Sequence, residues 1–78
     1  MKITYDAEAD ALYIELRPLA QGTAECRQLT DDLAADYGPD GRLAGIEILD
    51  ASVVLGNELR RMVLEVSPVL TPTSAGTA

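Results

Sequence analysis

The chain has no histidine, no tryptophan, no phenylalanine and a single cysteine among its 78 residues. Without histidine it lacks the one side chain whose ordinary pKa lies near neutrality, so the commonest proton shuttle of enzymes is missing. With Tyr5, Tyr13 and Tyr37 as its only aromatics, its core has to be built from Leu, Ile, Val and Ala. One cysteine cannot close an intrachain disulfide. Cys26 has no second Cys or His with which to hold zinc or form a thiol dyad, and it reads as a small strand residue. Bases are scarce too: six Lys and Arg against thirteen acids leave a net charge of −7. They are scattered, with only Arg60 and Arg61 adjacent, so no basic patch meets a phosphate backbone and nucleic acid is not an expected direct ligand. No apolar run approaches about 20 residues and no basic-then-apolar leader is present. A membrane span is therefore not expected, and the expected compartment is the cytoplasm.

What is present points to one small folded unit. A hydrophobic content of 47% is too high for a chain disordered throughout. A chain this short buries only about 60% of its unfolded surface, which leaves a monomer marginal and makes a homo-oligomer, most simply a dimer, the expected state. Lys2 to Tyr5 is a short β-type run. Ala11 to Leu16 alternates, with Leu12, Ile14 and Leu16 on one face and Tyr13 and Glu15 on the other. Glu25 to Leu29 is a third, polar strand suited to an edge. Asp31-Asp32 is a turn signal, after which Leu33, Ala35 and Tyr37 alternate in a fourth strand. Gly38-Pro39-Asp40-Gly41 supplies a preset turn dihedral and residues that tolerate positive φ, which predicts a tight hairpin into a fifth strand over 43–49 with Ala44, Ile46 and Ile48 inward.

Five short strands at close spacing predict an α+β fold: a small antiparallel β-meander whose apolar face is covered by one C-terminal α-helix, in cis or across a dimer. Leu55, Leu59, Met62 and Val66 fall at i, i+4, i+7 and i+11, a single helical stripe. The helix is expected from about Glu58 to Val66, with Asp50, Ser52 and Asn57 as alternative N-caps and Pro68 as its stop. Residues 1–66 then make one domain, and the Thr-, Pro-, Ser- and Ala-rich stretch 67–78 a disordered tail.

Asp6, Glu8 and Asp10 begin like the acids of a calcium-binding EF-hand loop. That loop needs Gly at its sixth position and Glu at its twelfth, where this chain has Ala11 and Arg17. The three acids are instead expected to turn a hairpin, Asp40 and Gly41 to turn another, and Asp50 to cap or turn the chain before the helix. A cation- or small-ligand-binding module using Asp6, Glu8 and Asp10 is the alternative reading. Ser52, Ser67 and Ser74 lack a nucleophile-elbow context, and no Gly-rich loop with Lys offers a phosphate cradle. No catalytic residue, metal ligand set or cofactor is expected. If the helix swings off its sheet, Leu55, Leu59, Met62 and Val66 become an interface.

Two stretches, MKITYDAEADALYIEL at the start and DYGPDGRLAGIEILDAS in the middle, resemble the small bacterial proteins grouped as domain of unknown function 2283. The resemblance covers roughly residues 1 to 52. Ala7 stands where that family's Tyr-Asp-Pro-Glu-x-Asp loop carries proline, which leaves this loop less rigid. The resemblance implies a compact β-rich domain and no catalytic or metal-binding residues to carry over. Similar members stand beside small toxin-like proteins, which implies an antitoxin-like role: an acidic protein masking a small basic partner, with complementary charge steering their encounter.

Overall fold

The structure, a computed structural model, describes residues 1–68. It holds five strands in one antiparallel sheet: β1 (Lys2–Asp6), β2 (Ala11–Glu15), β3 (Glu25–Thr30), β4 (Leu33–Tyr37) and β5 (Leu43–Leu49). A short helix, α1 (Ala51–Leu55), and one turn of 3₁₀ helix over Gly56–Arg60 follow. The α+β antiparallel fold is the one the sequence predicts, with strand bounds within a residue of expectation. Most of the expected tail lies outside the described residues.

The hairpins β1–β2, β3–β4 and β4–β5 are those of a meander, but β2 pairs with β5, so the sheet order is β1-β2-β5-β4-β3. Strands β2 to β5 thus stand in a Greek-key arrangement, with residues 16–24 carrying the chain past two strands. The reason lies in the side chains. Ile46 and Ile48 of β5 stand opposite Ile14 and Leu12 on one side, and opposite Ala35 and Leu33 on the other. Placing β5 in the centre concentrates aliphatic residues on one face, whereas polar β3 takes an outer position where all six of its residues are exposed.

The opposite face is polar: Tyr13, Glu15, Glu47, Asp36, Cys26 and Gln28. The core of this single sheet is thin. Its buried members are Ala11, Leu12, Ala34, Ala35, Ala44 and Ala51, and no large side chain among the described residues is fully buried. That is the consequence of a chain without Phe or Trp in which a single sheet has no second layer of comparable size.

The helix departs from expectation. It does not run from Glu58 to Val66: α1 ends at Leu55, the 3₁₀ turn ends at Arg60, and residues 61–68 form neither helix nor strand. Gly56 takes φ 57° and ψ −130°, which breaks the α-helix after Leu55, and Arg61 at φ −129° and ψ 122° is already extended. The four-residue stripe is therefore not one helical face. Leu55 and Leu59 are half-buried, while Met62 and Val66 are 64% and 80% exposed. Tertiary bonding won over apolar spacing, because α1 is anchored at Ala51, well before the predicted start.

Candidate functional site

The first cluster is built on the β1–β2 loop. Asp6 accepts the backbone N–H groups of Glu8 (3.0 Å) and Ala9 (3.3 Å) with Oδ1, the Asx turn expected of it. Asp10, with φ 52°, turns its carboxylate the other way. It accepts the Tyr5 hydroxyl at 2.7 Å, the Ser52 N–H at 2.9 Å and the Ser52 hydroxyl at 2.6 Å, and its own carbonyl accepts the Ala51 N–H. Asp10 thus takes over the capping of the α1 N-terminus, from 42 residues away. Asp50, the residue in the cap position, sits in the left-handed region at φ 51° and makes no side-chain bond to the helix. The Ser52 hydroxyl, then the Tyr5 hydroxyl, hold the Asp10 carboxyl below the usual carboxylate range, and the same bond to Asp10 pushes Tyr5 up. Asp6, Glu8 and Asp10 are engaged separately, and no three acidic or thiol groups converge among the described residues.

The β4–β5 turn is the hairpin expected of its sequence. Gly41, at φ 80°, donates to the Gly38 carbonyl at 2.9 Å, and Gly38 donates to the Arg42 carbonyl at 2.9 Å. Asp40 accepts the Arg42 N–H at 3.0 Å and the Arg17 guanidinium at 2.8 Å. Arg17 also donates to the carbonyls of Arg42 and Leu43, so one side chain ties the end of β2 to the turn. Its guanidinium, followed by the Arg42 N–H, keeps the Asp40 carboxyl low.

The second cluster lies on the polar face, and sequence reasoning missed it. Tyr13 reaches from β2 across Gly45 of β5 and donates to Asp36 of β4 at 2.8 Å. A Cβ on Gly45 would come within 2.0 Å of the Tyr13 hydroxyl oxygen, so the strand glycine is what opens the path. The available signal was Gly45 itself, since a glycine inside an alternating strand marks a close approach. Asp36 also stands opposite Cys26, and its carboxylate beside the thiol pushes Cys26 up, which leaves this exposed cysteine a poor thiolate. Beside Tyr13 a shallow groove of about 290 Å³ is lined by Glu15, Arg17, Leu19, Gln21 and Asp36.

Burial first, then the bond to Asp36, pushes Tyr13 up to about 12. The folded state therefore keeps this proton when the unfolded chain, with a tyrosine value near 10, gives it up. Stability from this group is complete below pH about 10 and falls as pH rises to about 12. Urea midpoints measured from pH 8 to 12 are expected to drop over that window, and Tyr13→Phe to remove most of the slope. An unchanged slope in the variant would assign the alkaline loss to another group.

The model of the family described as Protein of unknown function (DUF2283) matches residues 2–52, from the first strand to the start of α1. The chain belongs to the DUF2283 family. The match spans all three hairpin turns, the Tyr13–Gly45–Asp36 crossing and the Asp10–Ser52 cap. It stops before the 3₁₀ turn and the extended segment beyond it. No curated protein and no solved structure matches the chain. No helix among the described residues is long and apolar enough to cross a membrane.

Proposed function

We propose that this DUF2283 domain is a non-enzymatic, cytoplasmic protein-binding module that self-associates and masks a small basic partner, an antitoxin-like role. The observation that carries the reading is apolar surface that the described residues leave without cover. Met1, Val53, Leu64 and Val66 are each at least 80% exposed, and Val63 is 60% exposed, while no large side chain among the described residues is fully buried. Such surface is costly in water and characteristic of an interface. A net charge of −7 favours a basic partner and hastens its arrival. The polar groups of both clusters are occupied by bonds that hold strands, turns and α1 together.

Light scattering at about 100 µM is expected to give the mass of a dimer. Co-expression with the product of the adjacent gene is expected to yield a stoichiometric complex that weakens as salt is raised. A monomer at that concentration, recovered apart from the neighbouring product, would sink the proposal.

A further inference from the structure

Among the described residues the sheet ends in two unpaired edges, β1 and β3, and they are not equivalent. At the β3 edge the register shifts between Gln28 and Thr30, an irregularity that blunts a strand against further pairing. The β1 edge is regular over all five of its residues. It is short and carries Lys2-Ile3-Thr4-Tyr5-Asp6, a sequence whose charges are opposite at its two ends.

We infer that β1 pairs antiparallel with β1 of a second copy about a two-fold axis at Thr4, joining two sheets into one of ten strands. This rests on the self-association proposed above and names its surface. In that register Lys2 faces Asp6 of the second copy and Asp6 faces its Lys2, so the charges match twice over. Ile3 faces Tyr5, an aliphatic–aromatic pair, and Thr4 faces Thr4, a pair of β-branched hydroxyl residues. A shift of the axis to Ile3 or to Tyr5 leaves Lys2 opposite Thr4 or Asp6 opposite Thr4 and breaks both charge pairs.

Two further observations agree with this edge. In its own sheet Lys2 stands opposite Glu15, yet makes no ion pair among the described residues, so a second acid on its other side completes its surroundings. The Asp6 Oδ1 is taken by the Glu8 and Ala9 N–H groups, while Oδ2 takes no bond among the described residues and is open to an incoming ammonium. An axis perpendicular to the sheet also keeps the two apolar faces on the same side. Ile3 and Tyr5 of both copies then meet at the seam, beside the apolar pocket of about 520 Å³ that Ile3 shares with Met1, Met62, Val63 and Leu64.

Site-directed cross-linking tests the register on the full chain. At the two-fold, residue 4 lies about 4.5–5.5 Å from its symmetry mate between Cα atoms, within disulfide range. Residue 2 lies roughly 14 Å from its own mate. In a Cys26→Ser background, Thr4→Cys is expected to oxidise to a covalent dimer and Lys2→Cys to stay uncross-linked. A dimer by light scattering in which Thr4→Cys fails to cross-link, or Lys2→Cys cross-links equally well, overturns the edge while leaving self-association standing. A monomer by light scattering overturns both. Independently, Lys2→Asp is expected to raise the dimer dissociation constant about tenfold and Lys2→Arg to leave it near its original value. No change with Lys2→Asp overturns the register.

Discussion

Replacing Gly45 with alanine is expected to destabilise the domain by about 2 kcal/mol, although alanine is the better strand residue by roughly 0.5–1 kcal/mol where space allows. The new methyl would lie 2.0 Å from the Tyr13 hydroxyl oxygen and 2.6 Å from its ring carbon Cζ, so the ring has to leave. When it leaves, the bond to Asp36 is lost, and so is the cover that the ring gives to β5. A core of one leucine and five alanines has little reserve for this. Urea denaturation of Gly45→Ala, Tyr13→Ala and the double variant separates the causes. If the clash with Tyr13 is the cause, Gly45→Ala becomes neutral or stabilising once Tyr13 is alanine. An equal loss in both backgrounds would place the need for glycine in the backbone.

Replacing Asp10 with alanine is expected to lower Tm by roughly 5–10 °C, the largest effect of any single carboxylate in the domain. The change removes the acceptor for Ser52 and Tyr5 at once and puts a side chain that disfavours the left-handed region at φ 52°. Asp10→Asn, which tolerates that backbone and keeps one acceptor oxygen, is expected to lose less. The pH dependence has a definite sign. The Asp10 carboxyl is held below its ordinary value in the folded state, so its contribution is full above the ordinary range near pH 4 and is lost as pH falls through the lower folded value. Thermal melts from pH 7 to 2 should show a shallower acid limb in Asp10→Ala than in the parent. Parallel limbs, or an alanine variant as stable as the parent, would mean that α1 does not depend on this cap.

These two positions also mark where the sequence was legible and where it was not. The period-two alternation of Leu12, Ile14, Ile46 and Ile48 and the Gly-Pro-Asp-Gly turn are signals carried by neighbours in the chain, so five strands and two turn acids, Asp6 and Asp40, could be read directly. Asp10 reads from its neighbours as a loop residue, and its hold on α1 is not legible there, since Ser52 is 42 residues away. Tyr13 and Asp36, 23 residues apart, meet only because β5 lies between β2 and β4.

The helix is the instructive failure. Leu55, Leu59, Met62 and Val66 have helical spacing, yet spacing states only which residues would share a face if a helix formed. Formation was decided by an anchor at Ala51 and Ser52, which depends on where the β1–β2 loop sits after folding, and by the positive φ of Gly56, which ends the helix. The sequence by itself determined the strands, the tight turns, the aliphatic character of the core and the acidic surface, because each follows from residues close together or from composition alone. The tertiary structure alone decided the strand order, the start and end of α1, and the two polar crossings. Those depend on contacts between distant segments, whose loop-closure cost is repaid only when β2 and β5 pair and bury their shared aliphatic face.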